Sequence, residues 1–159
     1  MRALARAMRR WPGLALCSAL GLAGCAKTIP TRAVSDGFGF CKGLTEGEPF
    51  ACVAPSKRFA PTDPAVVYRM EFENAVPAAV LRCEWIDPSD EPYLRSGALP
   101  LTAGTYSEHV VQACILPLNE APPAMFEGRW KLRVYYDGGP RTRAYNAGLL
   151  RDEEFAIGG

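Results

Sequence analysis

Six cysteines, a single histidine and 17 acidic residues are the groups with which this 159-residue chain could do chemistry. Their spacing limits what that chemistry is. Zinc knuckles hold cysteines two to four residues apart, and no two cysteines of this chain stand at that distance. His109 lies in Glu108-His109-Val110-Val111 with no acid or nucleophile placed beside it by spacing. It reads as a solvated or hydrogen-bonded strand histidine rather than a general base. Asp87, Asp90 and Glu91 fall in a Pro- and Ser-punctuated run that lacks the central Gly and distal Glu of a calcium loop, so the run reads as a turn. Gly138-Gly139 follows a strand pattern without a helix behind it, which marks a hairpin tip and not a phosphate loop. Two of 17 carboxylates could always be paired for glycoside hydrolysis, and nothing in their spacing selects a pair. No catalytic residue, metal or cofactor is therefore assigned, and a noncatalytic role is expected.

The elements that would position these residues have a period near two and are bounded by Pro and Gly. Gly128 to Asp137 is the strongest: Trp130, Leu132, Val134 and Tyr136 share one face, while Arg129, Lys131, Arg133 and Tyr135 share the other. Ala65 to Asn74 alternates in the same way, with Val66, Tyr68, Met70 and Phe72 against Arg69, Glu71 and Glu73. Ala79 to Asp87 is expected to pair with it as a hairpin across the turn at Pro77. Tyr106 to Leu116 reads as a further strand, and Phe50 to Phe59 as a first edge segment interrupted by Pro55. Asp137-Gly138-Gly139-Pro140 supplies a tight turn after which Arg141 to Leu149 returns, and Phe155 with Ile157 forms a last short strand. Six to eight short strands in one domain predict two packed antiparallel sheets; a small antiparallel barrel is the alternative.

The N-terminus is built differently. Arg2, Arg6, Arg9 and Arg10 precede an apolar run, Trp11 to Gly24, too short for a bilayer span of roughly 20 residues. The run closes on Leu22-Ala23-Gly24-Cys25. All four positions resemble the lipobox of bacterial lipoproteins. That resemblance implies cleavage after Gly24, a diacylglyceryl group on the Cys25 thiol and a membrane anchor of two or three acyl chains, which holds durably where one chain does not. It also implies an envelope address, with the outer membrane favoured because Ala26 stands where inner-membrane retention wants Asp, and a folded domain in the periplasm.

Residues 1–24 are thus read as the signal, 25–37 as a tether and 38–159 as the folded domain. Four of 18 basic residues leave with the signal and all 17 acidic ones stay, so the mature net charge is about −3. A chain of that sign without a basic block is a poor partner for nucleic acid.

The run from Phe59 to Glu91 and the Gly-Arg-Trp strand with its Asp-Gly-Gly turn resemble the immunoglobulin-like domains of bacterial envelope proteins. With Cys17 removed and Cys25 acylated, Cys41, Cys52, Cys83 and Cys114 remain, an even number in an oxidising compartment. Three connectivities are open to four cysteines. Local closure favours Cys41 with Cys52 and Cys83 with Cys114, and in the immunoglobulin-like resemblance the second pair would join core strands near Trp85. The expected function is that of a binding or structural module for a protein or cell-wall partner. Its candidate face is Arg129, Lys131, Arg133 and Tyr135, continued by Arg141 and Arg143, since arginine with tyrosine is common at interfaces. A carrier or enzyme working on a small or lipidic ligand is the alternative.

Overall fold

The computed structural model describes residues 31–48, 50–102, 104–120, 125–137 and 148–158. The lipobox residues Leu22, Ala23, Gly24 and Cys25, and the arginines Arg141 and Arg143, lie outside the described residues. Among the described residues eleven strands follow in chain order: β1 (Arg32–Ala33), β2 (Gly39–Leu44), β3 (Cys52–Pro55), β4 (Arg58–Phe59), β5 (Ala65–Ala75), β6 (Val80–Ile86), β7 (Pro92–Arg95), β8 (Leu99–Pro100), β9 (Ser107–Pro117), β10 (Gly128–Asp137) and β11 (Gly148–Ile157).

Two sheets result. In the first, β9 pairs along almost the whole of β5, while β1 and β2 share the other edge of β5 at Phe72–Glu73 and Val67–Arg69, and β3 adds to β2. In the second, the order is β4-β11-β10-β6, and β7 and β8 share the outer edge of β6. All pairs are antiparallel except β4 with β11. This is the immunoglobulin-like arrangement, with β5 and β9 in one sheet facing β6, β10 and β11 in the other. Among the described residues no strand pairs across the sheets, so the closed barrel is not formed.

The core is made by the alternating faces. Val66, Tyr68, Met70 and Phe72 of β5 meet Leu81, Cys83 and Trp85 of β6 and Trp130, Leu132, Val134 and Tyr136 of β10, all of them buried. Cys83 is joined to Cys114 of β9 through the space between the sheets, and Cys41 to Cys52 within the β2–β3 pair.

Four expectations are corrected. β6 does not form a hairpin with β5 but crosses to the other sheet. The connection is a β-turn, with the Ala79 N–H closing on Val76 O, and together with Asn74 at φ +55° and Pro77, which offers no N–H, it carries the chain to the second sheet rather than back beside β5. The segment from Phe50 to Phe59 is likewise divided between sheets. After Pro55 the chain leaves β3, the Ser56 N–H reaches Phe40 O, and Arg58–Phe59 joins β11 in the second sheet. Phe155 and Ile157 are not a separate strand but the end of β11, which pairs with β10 from Gly128 to Tyr136 around one bulge at Val134/Tyr135. Arg32 and Ala33, placed in the tether by sequence, pair with β5, so among the described residues the first sheet begins at Arg32.

Candidate functional site

Period two carries every second residue of β10 to the outer face of the second sheet, and there the structure brings Arg129, Lys131, Arg133 and Tyr135 into one row. Their neighbours come from three other segments. Arg129 is exposed beside Ala156 and forms no ion pair among the described residues. Lys131 Nζ lies 2.8 Å from Asp90 Oδ1 in the β6–β7 turn. That hydrogen bond raises the lysine's pKa and lowers the aspartate's. Arg133 Nε is 3.5 Å from Asp152 on β11. Tyr135 donates its hydroxyl to Glu84 Oε2 at 3.2 Å, and Arg95 Nε approaches Glu84 Oε1 at 2.6 Å. Arg82, directly across from Tyr135, completes a cup of about 370 Å³ with Glu84, Arg95 and Ser96.

The face is therefore a ladder of opposite charges and not a uniform basic patch. Such a ladder fixes side-chain positions at little cost or gain in stability, since exposed pairs contribute roughly 0 to 1 kcal/mol each. What it offers a partner is a tyrosine ring and a carboxylate held in place, the latter between Arg95 and Tyr135, and beside them two exposed arginines without ion partners among the described residues, Arg82 and Arg129. Sequence reasoning missed Arg82, Glu84 and Arg95. The outward set of β6 was legible from its alternation, but the expected hairpin placed it in the wrong sheet, and four-residue β7 carries no periodic signal.

The acidic run from Asp87 to Glu91 is a turn, as its composition predicts. Asp87 Oδ1 accepts the N–H groups of Ser89 and Glu91, and the Asp90 N–H closes on Asp87 O.

A second cluster stands on the outer face of the other sheet. Arg69 and Glu71, two apart on β5, are paired at 2.8 Å, and Glu71 Oε1 meets His109 Nε2 at 2.5 Å from the neighbouring β9. The histidine is thus hydrogen-bonded on its strand, as expected. Arg69 also donates to Phe50 O and Gly37 O, tying the β2–β3 connection and the turn at Ser35–Gly37 down onto the sheet. Gly37 packs so closely on Glu71 that a Cβ there would overlap the glutamate side chain.

Hydrogen bonds from His109 and then Arg69 hold Glu71 below its ordinary pKa of 4.5. A carboxylate depressed in the folded state contributes stability that is present above the unfolded value and lost as pH falls through the folded one. Urea midpoints should accordingly drop below about pH 4.5, and the drop should be shallower in Glu71→Gln, which is expected to be less stable by about 0.5 to 1.5 kcal/mol at pH 7. A variant whose pH profile runs parallel to the parent's would remove Glu71 from this account.

Third, a cleft of about 290 Å³ opens between the sheets where β1 and β11 approach, lined by Thr31, Arg32, Ala33, Phe72, Tyr136, Leu150 and Arg151. Arg151 lies on the inward-facing side of β11, in phase with Glu153, Phe155 and Ile157, with its guanidinium 4.6 Å from the Phe38 ring centroid. Glu153 is engaged by Lys57 at 2.8 Å. Burial and the Glu153 charge push the Tyr68 hydroxyl up to about 12 against the opposing influence of Arg151.

No protein-family model matches the sequence, and no curated protein matches it. Among solved structures, the chain is similar to one described as the C-terminal domain of wzt, with a TM-score of 0.46 and 9% identity over 81% of this chain and 74% of that one.

Proposed function

We propose that the chain is a lipid-anchored, noncatalytic module of the bacterial envelope that binds a protein or cell-wall partner through the outer face of β10. The observation that carries this reading is the row Arg129, Lys131, Arg133 and Tyr135, of which the last three are held by Asp90, Asp152 and Glu84, continued by Arg82 and Arg95 around the cup. Tyrosine and arginine are enriched at interfaces, and a side chain already held by an ion pair or hydrogen bond has less freedom left to lose on association. The lipobox supports the anchor. The Cys41–Cys52 and Cys83–Cys114 bridges fit an oxidising compartment outside the cytoplasm.

The test places a photoreactive residue at Arg129 in the full chain in living cells. A discrete adduct is expected, lost when Arg133→Glu is added and absent when the same group replaces Ile115, which is 54% exposed on the other sheet. In the Cys25→Ser background the protein is expected to leave the membrane fraction after a high-salt wash. Failure to form an adduct at position 129, or the same adduct from both faces, overturns the binding face; unchanged membrane retention of Cys25→Ser overturns the anchor.

A further inference from the structure

We infer that the end of the sandwich carrying Thr31 rests on the membrane surface, with the cleft beside Arg151 receiving the phosphate of an anionic lipid headgroup; the inference rests on the anchor proposed at Cys25. Chain length makes the first step. The described chain begins at Thr31, whose hydroxyl donates to Asn74 O at 2.9 Å, and Cys25 lies six residues upstream. At 3.3 to 3.6 Å per residue those six reach at most roughly 20 Å, whereas the ten residues of β10 alone extend about 33 Å. The leash is shorter than the domain.

Surface chemistry makes the second. Tyr106, whose hydroxyl bonds Asn74 Oδ1 at 2.6 Å, is 50% exposed, and Leu149, at the start of β11, is 53% exposed. An exposed tyrosine and an exposed aliphatic side chain suit the headgroup boundary. The opposite end bears the Asp87–Glu91 turn with its three carboxylates, which an anionic surface repels.

Electrostatics within the cleft make the third. Arg151 is the cation on the inward face of β11; its guanidinium donates to Leu150 O at 3.2 Å, and it has no carboxylate within ion-pair distance among the described residues, Glu153 being engaged by Lys57. Its guanidinium sits on an aromatic ring at the mouth of a cleft whose other walls include Phe72, Tyr136 and Leu150. A phosphate meeting the guanidinium while glycerol carbons meet these walls matches both halves of that lining.

The test uses the full acylated protein in vesicles of phosphatidylethanolamine and phosphatidylglycerol, with a photoreactive residue at Leu149 or at Ser89. Lipid adducts are expected from position 149 and not from 89. They should fall about five-fold with Arg151→Gln, and by a similar factor when phosphatidylglycerol is replaced by phosphatidylcholine. The mass of the N-terminal peptide reports Cys25 acylation independently. If Cys25 carries no lipid, the anchor fails and this inference falls with it. If Cys25 is acylated but adducts are equal from both positions, are insensitive to Arg151 and to lipid charge, or join protein to protein, the anchor stands and the membrane-resting end is wrong. Circular dichroism of Arg151→Gln guards against misfolding, and Leu149→Glu, at an exposed site, should weaken lipid labelling from a photoreactive residue placed at Tyr106; undiminished labelling there would overturn the membrane-resting end.

Discussion

Trp130→Ala should lower the stability of the domain by about 3 to 5 kcal/mol, while Arg133→Ala, three residues further on the same strand, should change it by no more than about 0.5 kcal/mol. The indole is fully buried between sheets, with Tyr93, Phe126 and Phe155 ring centroids 5.3, 6.0 and 6.3 Å away. Its Nε1–H donates to Phe126 O at 2.7 Å. Truncation therefore opens a cavity and strands a buried carbonyl together. Arg133 is half-exposed and meets Asp152 at 3.5 Å, a surface pair of the kind that contributes little. Urea denaturation of the two variants decides between them. Similar losses for both would mean that β10 does not turn its faces as described, and the binding row would go with that assignment.

The same strand shows why some of the molecule was legible in sequence and some was not. β5 and β10 have one face wholly in the core, so hydrophobicity alternates and both boundaries and orientation follow from period two. β11 belongs to the same core yet hides its period. Its inward positions begin with Arg151 and Glu153, at the margin where the sheets part and a charged group still reaches solvent, and only Phe155 and Ile157 are fully interior. Alternation says nothing of which strand lies beside which. For that reason β6 was given a neighbour in the wrong sheet, and β7 and β8, with four and two residues, escaped notice. The candidate face divides in the same way: the outward set on β10 is written in its spacing, but Asp90, Asp152 and Glu84 reach it from three other segments. Arg69 and Glu71 are two apart in sequence, whereas their histidine partner depends on the β5–β9 register.

Removing the bridge across the core with Cys83→Ala and Cys114→Ala should cost about 3.5 to 4 kcal/mol, more than the roughly 3 kcal/mol expected for Cys41→Ala with Cys52→Ala. The difference follows from loop length. The first bridge closes 31 residues and the second 11, and the freedom a crosslink withholds from the unfolded chain grows with the logarithm of the loop it closes. Packing adds to the contrast, because Cys83 and Cys114 are both buried among core side chains on opposite sheets, so each alanine also leaves unfilled volume there. A domain of ordinary stability, about 5 to 15 kcal/mol, would retain only part of it without the core bridge. The two double variants are compared with the parent by chemical denaturation under non-reducing conditions, and mass spectrometry after thiol alkylation of the unreduced parent should find none of the four cysteines labelled. Alkylation of Cys83 or Cys114 in the denatured, unreduced protein, or a core-bridge variant as stable as the parent, would show that the sheets are held by side-chain packing alone.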